Sequence, residues 1–174
     1  MTFMFKLTPC NCRGFSLAVP FLGAMAYSYW VQPAISGNPD TTNALIYNCV
    51  ETERTAGRSG RNCIGLVTNP CKAKPENAHN DDKAECDERE FVLWSQLQQK
   101  EFSALKAVLS PDQQNKLQAS QDLWVIYQSD DCRLPYTLFS KDKADVMGPA
   151  CTIELKAARA LQLRAWRDAV SLNK

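Results

Sequence analysis

The sequence predicts an all-α fold: a small disulfide-stapled helical domain with three main helices and a short fourth. Three observations lead to this prediction. Apolar side chains recur near the helical period of 3.6 residues over long stretches. No stretch alternates with the period of two that a half-buried strand requires, and no Asn-Gly hairpin signal occurs. Six cysteines follow residue 36 in a chain of 174 residues.

The short helix comes first and is predicted from Asp40 to about Ala56. Asp40 or Thr41 is the expected N-cap, because a short polar side chain can accept hydrogen bonds from the first free backbone N–H groups. Gly57 and Gly60 follow the last turn and are expected to end the helix.

The longest predicted helix runs from Asp82 to Leu109, after a brief helical turn near Cys63 and an irregular loop. This stretch contains neither glycine nor proline. Its apolar side chains fall close to the helical period. They are Phe91, Trp94, Leu97, Leu105 and Val108.

The third helix begins with a clear local signal. Ser110 is the expected N-cap, Pro111 suits the first helical position, and Gln113 lies in the first turn. A loop is predicted over residues 134–149. The last helix is predicted from Cys151 to near the end of the chain, where Ala, Leu and Arg dominate.

Three aromatic residues at helical spacing are predicted to form the structural core. They are Trp94, Trp124 and Tyr127. Trp94 and Trp124 are expected to face one another across two antiparallel helices. An aromatic ligand box is the alternative interpretation, but large apolar side chains on one helix face are more often core.

The N-terminal region is typical of a secretory signal peptide, assigned to residues 1–36. Lys6 and Arg13 precede an apolar run from Phe15 to Ala26, and no acidic residue occurs before it. Cleavage is expected after Ala26 or after Ser36. The run is shorter than the roughly 20 residues of a membrane span, so an uncleaved anchor is the alternative. A cleaved signal leaves no stable membrane span and a periplasmic or secreted domain over residues 37–174.

Cleavage would remove Cys10 and Cys12 and leave an even number of cysteines in an exported chain, which favours disulfides over free thiols. Six cysteines allow 15 connectivities. Closure of short loops favours two of the pairs, and the two cysteines that remain form the third. The predicted pairs are Cys63 with Cys71, Cys132 with Cys151, and Cys49 with Cys86.

Charge and residue types argue against several functional classes. The formal net charge of +1 does not indicate a nucleic-acid-binding surface. The single histidine, His79, lies in a polar stretch, so no catalytic residue is predicted. A metal site at His79, Asp81 and Asp82 is the alternative interpretation, but the cysteines lack zinc-type spacing. Neither a metal nor another cofactor is predicted.

The spacing of cysteines and tryptophans resembles the LprI-type lysozyme-inhibitor domain, a bacterial exported domain, from Cys49 to about Leu163. The matching segments are "NCVETE", "NCIGLVTNPC", "CDEREFVLW", "SQDLWVIYQSDDC" and "CTIELKAARALQL". The chain departs from the family's usual residues at Ser95, Gln128, Ser129 and Lys156. These polar positions would link helices or shape the last loop.

The resemblance implies a binding protein that inhibits lysozyme and so protects the bacterial envelope. Animal-type lysozymes are strongly basic, so an acidic patch would speed the encounter. The partner-binding candidates are Asp81, Asp82, Glu85, Asp130 and Asp131. A structural or accessory periplasmic protein with another protein partner is the alternative, and an enzyme is a third. The sequence leaves the oligomeric state open.

Overall fold

The computed structural model describes residues 39–172, and the predicted signal peptide lies outside them. Six α-helices are found in the described part: α1 Pro39–Thr55, α2 Thr68–Lys72, α3 Asn80–Ala107, α4 Pro111–Arg133, α5 Pro135–Leu138 and α6 Lys141–Leu172. Short 3₁₀ turns lie at Arg61–Cys63 and Pro75–Asn77. No strand occurs between residues 39 and 172, and the all-α prediction is confirmed. None of these helices is long and apolar enough to cross a membrane.

The boundary between α3 and α4 is set by local chemistry that the sequence shows. The Ser110 hydroxyl accepts a hydrogen bond from the backbone N–H of Gln113 at 3.4 Å. The Gln113 side chain accepts one in return from the Ser110 N–H at 2.9 Å. This reciprocal capping box, with Pro111 in the first turn, starts α4 where the sequence predicts.

The prediction of a loop over residues 134–149 is wrong, because α5 and the first third of α6 occupy it. The helix starts at Lys141, which forms an ion pair with Asp145 one turn later. Pro149 lies inside the helix, although proline has no N–H to donate to the preceding turn. Gly148 is needed for close packing, since a Cβ there would lie 2.5 Å from the Tyr136 ring.

The main core lies between α1, α3 and α6, and a smaller cluster joins α3, α4 and α6. Trp94 is fully buried in the main core, as predicted. The predicted core positions of Trp124 and Tyr127 are wrong: Trp124 is half-buried and outside both clusters, and Tyr127 is 53% exposed. Beyond Leu117, α4 meets α6 through the hydrogen bond from Arg159 to Gln121 and the Cys132–Cys151 bond, with no apolar cluster there, so Trp124 is only partly covered and Tyr127 stays exposed.

The disulfides partly differ from the predicted pairing. The bonds are Cys49–Cys63, Cys71–Cys86 and Cys132–Cys151. Only the last was predicted, and the pairs Cys63 with Cys71 and Cys49 with Cys86 are wrong. The reason lies in the buried carboxylate of Glu90, which accepts backbone N–H bonds from Gly65, Val67 and Thr68. These hydrogen bonds hold the backbone of residues 65–68 against α3, beside Cys86.

Candidate protein-binding end of the bundle

A cleft opens where α3 begins and α4 ends, with the first half of α6 between them. Its volume is about 540 Å³. The lining residues are Ala84, Asp87, Glu88, Phe91, Val125, Gln128, Ser129, Cys132, Arg133, Tyr136, Gly148, Pro149, Thr152 and Ile153. Because the start of α3 and the end of α4 line the same cleft, the two helices run antiparallel. The Cys132–Cys151 bond fixes α4 to α6 at this end.

The partner-binding candidates lie at this end of the bundle, on the elements that line the cleft. Asp81 and Glu85 are exposed on the first two turns of α3, and Asp82 is half-buried beside them. Asp130 is exposed and Asp131 half-buried on the last turns of α4. The fold therefore gathers two acidic segments that are far apart in sequence. We call the cleft and these surrounding acids the acidic end.

Three of these carboxylates also have internal partners or neighbours. Glu85 pairs with Arg89 one turn along α3 at 3.4 Å, and both side chains are exposed, so the pair contributes little to stability. The Tyr127 hydroxyl donates to Asp131 at 3.4 Å. Asp81 lines a second cavity next to the cleft, of about 300 Å³.

Sequence reasoning missed two acids of the acidic end, Asp142 and Asp145. Both line the second cavity with Asp81. Their spacing of three residues places them on one helix face, but the segment was predicted as a loop, so this signal was lost. Lys141 pairs with Asp145, and Lys72 pairs with Asp87 at 2.7 Å. These two lysine side chains thus neutralise part of the negative charge of the acidic end.

Next to the acidic end, two cationic side chains of α6 pack against a row of three aromatic rings. The Lys156 ammonium lies 5.6 Å from the ring centre of Phe91 and 5.2 Å from that of Trp124. The Arg159 guanidinium lies 5.9 Å from Trp124 and 5.4 Å from Trp166. Burial lowers the pKa of both Lys156 and Arg159. Trp124 therefore anchors α4 to α6 through cation–π contacts.

The cleft at the acidic end combines charged, polar and apolar side chains. It is lined by the carboxylates of Asp87 and Glu88, the Arg133 guanidinium, the amide or hydroxyl groups of Gln128, Ser129, Thr152 and Tyr136, and apolar surface that includes Phe91 and Val125. His79 is exposed at the residue before α3 and makes no capping hydrogen bond. Within residues 39–172, no cluster of three or more His, Cys, Asp or Glu side chains is arranged to hold a metal ion. Apolar surface surrounded by charged groups is the usual composition of a protein-binding patch.

A family model described as lysozyme inhibitor LprI matches residues 71–163. That range is more than half of the chain. The chain belongs to the LprI family of lysozyme inhibitors. Neither a curated protein nor a solved structure matches it.

The LprI match contains every residue that lines the cleft, whereas α1 and its disulfide to Cys63 lie before the match. Two of the four positions named above as departures from the family lie in this cleft. Gln128 and Ser129 line the cleft, and Lys156 lies between Phe91 and Trp124. The cleft is thus built entirely from the part of the chain that the family model matches.

Proposed function

We propose that this protein is exported to the bacterial envelope or beyond and inhibits lysozyme by binding it with the acidic end. The observation that carries the proposal is the position of the acidic end inside the family match. Asp81, Asp82 and Glu85 on α3 and Asp130 and Asp131 on α4 supply the negative charge.

Electrostatics explain why such a surface suits lysozyme. A strongly basic enzyme is attracted over distances comparable to the Debye length, about 8–10 Å at physiological salt. Complementary charge raises the rate of association more than it raises the lifetime of the complex. The cleft then offers apolar surface from Phe91, Val125 and Tyr136 to a side chain or loop of the enzyme. Burial of such an anchor slows dissociation.

Inhibition by this route needs no catalytic group. The protein covers the enzyme and excludes its glycan substrate. This agrees with a cleft that holds carboxylates and apolar groups, and with the exposed position of His79.

The test is a lysozyme turbidity assay with the oxidised protein, followed by association kinetics at several salt concentrations. We expect the double variant Asp81→Lys with Glu85→Lys to associate roughly tenfold more slowly at low salt, with a weaker salt dependence. Both side chains are exposed, so the fold should persist.

The control is Gln96→Lys with Gln99→Lys, which adds positive charge at two exposed positions on the second half of α3, away from the acidic end. The control should associate like the unmodified protein. If the unmodified protein leaves lysozyme activity untouched at micromolar concentration, the proposal fails and an accessory envelope role takes its place.

A further inference from the structure

The side of α4 that faces away from α6 has the spacing of a coiled-coil seam. Its positions alternate by four and three residues, the pattern that keeps one stripe facing a partner helix. The stripe consists of Asp112, Lys116, Ala119, Leu123, Ile126, Asp130 and Arg133, all of them exposed. We call it the α4 seam. Leu123 is 69% exposed and Ile126 60%, which is unusual for adjacent seam positions of an unpartnered helix.

The seam points outward because the opposite side of α4 is fixed. Leu117 packs in the small cluster with α3 and α6. Arg159 of α6 donates to Gln121 at 3.0 Å and to Ser120 at 3.3 Å. Cys132 is bonded to Cys151. These contacts leave α4 no freedom to rotate its apolar stripe into the fold.

The seam is complementary to itself when a second copy lies antiparallel across it. A two-fold axis at Leu123 places Leu123 against its own copy. The same axis places Ala119 against Ile126, a small side chain opposite a large one. It places Lys116 against Asp130, and Asp112 against Arg133, so that unlike charges meet in both outer layers. A parallel pairing would instead bring each charge against its own copy.

The charged groups of the seam are available for such pairing. Among residues 39–172, neither Asp130 nor Arg133 takes part in an ion pair. Lys116 pairs with Asp112 at 2.7 Å, but both side chains are more than 70% exposed, where such a pair contributes little. All four charged side chains can therefore form ion pairs with a partner chain at a small cost in free energy.

We propose that two copies of this chain associate through an antiparallel, two-fold pairing of their α4 seams. The helix has 23 residues, a length of about 34 Å, which gives three apolar layers closed by charged layers. This is a smaller apolar seam than obligate dimers use. We therefore expect a reversible dimer with a dissociation constant between about 1 µM and about 1 mM. The proposal does not depend on lysozyme binding, but the pairing covers Asp130 of the acidic end, so dimer and lysozyme compete for this residue.

The test uses two single charge reversals, Lys116→Asp and Asp130→Lys, and sedimentation velocity over that concentration range. In each variant alone, two like-charge layers replace two favourable ones, and the dissociation constant should rise at least roughly tenfold. Mixed in equal amounts, the two variants should dimerise with one another, because the introduced aspartate of one chain then meets the introduced lysine of the other. Only an antiparallel pairing of these two positions predicts this rescue.

A second pair of variants separates the seam from general surface apolarity. Leu123→Glu should abolish the dimer, whereas Val146→Glu, an equally exposed apolar position on α6, should leave it unchanged. Circular dichroism of each variant verifies that the monomer is folded. Leu123→Cys should form a disulfide-linked dimer under oxidising conditions, since the axis passes through this position.

Two results would overturn the proposal. One is an unmodified protein that stays monomeric up to about 1 mM. The other is a dimer that persists in both charge variants and shows no preference in their mixture. A monomer whose lysozyme inhibition is lost in Leu123→Glu would assign the seam to the enzyme instead, and would equally overturn the pairing of two copies.

Discussion

At the residue scale, the Glu90 carboxylate organises the segment between the first two disulfides. It is fully buried and accepts four hydrogen bonds. Three come from the backbone N–H groups of Gly65, Val67 and Thr68, at 2.6, 3.0 and 2.8 Å, and one from the Trp94 indole at 3.1 Å. A buried charge is tolerated only when such donors surround it.

Glu90→Gln should therefore destabilise the protein although it changes little volume. The new amide group turns a donor toward backbone donors and breaks at least one bond, so we expect a loss of roughly 2–4 kcal/mol in the free energy of unfolding. Urea unfolding of the oxidised protein measures this. Glu88→Gln, at an exposed neighbouring position, is the control. Equal stability of the two variants would show that Glu90 does not organise the segment.

The two central tryptophans should differ in their contribution to stability. Trp94 is fully buried, so Trp94→Ala should cost about 3–5 kcal/mol. Trp124 is half-buried and has cation–π contacts with Lys156 and Arg159. Each such contact contributes about 0.5–1 kcal/mol at a partly exposed site, so Trp124→Ala should cost about 1–2 kcal/mol. Urea unfolding compares them, and equal costs would place Trp124 in the core after all.

At the element scale, the α1–α6 contact includes an ionic link that depends on pH. Glu51 of α1 accepts a hydrogen bond from Arg54 at 2.8 Å and pairs with the buried Arg164 of α6. The hydrogen bond from Arg54, aided by the charge of Arg164, holds the pKa of Glu51 below its ordinary value of 4.5. Because the pKa of Glu51 is lower in the folded state than in the unfolded state, its ionised carboxylate stabilises the fold fully at pH values above the ordinary pKa of 4.5. This contribution disappears as the pH falls through the lowered pKa of the folded state.

The unmodified protein should therefore lose melting temperature as the pH drops below about 4.5, and Glu51→Gln should lose less over the same interval. Melting curves followed by circular dichroism between neutral and acidic pH test this. Glu154→Gln is a control, since Glu154 pairs with Arg61 at a more exposed position. A Glu51→Gln variant with the same acid sensitivity as the unmodified protein would contradict the assignment.

Elements were predictable where local chemistry determines them. The boundary of α3 and α4 follows from Ser110, Pro111 and Gln113, whose interactions all lie within four residues. The start of α6 was missed because a Gly148-Pro149 pair normally indicates a break. Here Tyr136 packs against Gly148, and the nearby Cys132–Cys151 bond holds the helix to α4. These are contacts between distant segments, which no local signal reports.

The candidate site was predictable in its charge but not in its shape. The acids of α3 and α4 stand out in the sequence, whereas their position at the same end of the bundle depends on the antiparallel course of the two helices. The outward side of α4 was missed for a related reason. Trp124 and Tyr127 were predicted to be core residues, and the contacts of Leu117, Gln121 and Cys132 show which side of α4 faces the bundle.

At the scale of the whole molecule, the three disulfides close successive loops that do not overlap. The bonded cysteines are separated by 14, 15 and 19 residues. In the loop-entropy treatment each bond contributes roughly 3 kcal/mol, and contributions from separate loops add. The sum, roughly 9 kcal/mol, is comparable to the entire stability of a typical domain, about 5–15 kcal/mol.

Reduction should consequently unfold most of the molecule at about 37 °C, which agrees with a protein that acts in an oxidising compartment. Far-ultraviolet circular dichroism during incubation with a phosphine reductant measures the loss of helix. The double variant Cys132→Ala with Cys151→Ala, which lacks one of the three disulfides, is compared with the fully oxidised and the fully reduced protein. It should lose about a third of the disulfide contribution and remain folded when oxidised, because α4 keeps its contacts from Arg159 and Leu117 to the rest of the bundle. If the fully reduced protein retained its helical signal and its melting temperature, the fold would not depend on an oxidising compartment, and the proposed export would lose its strongest physical support.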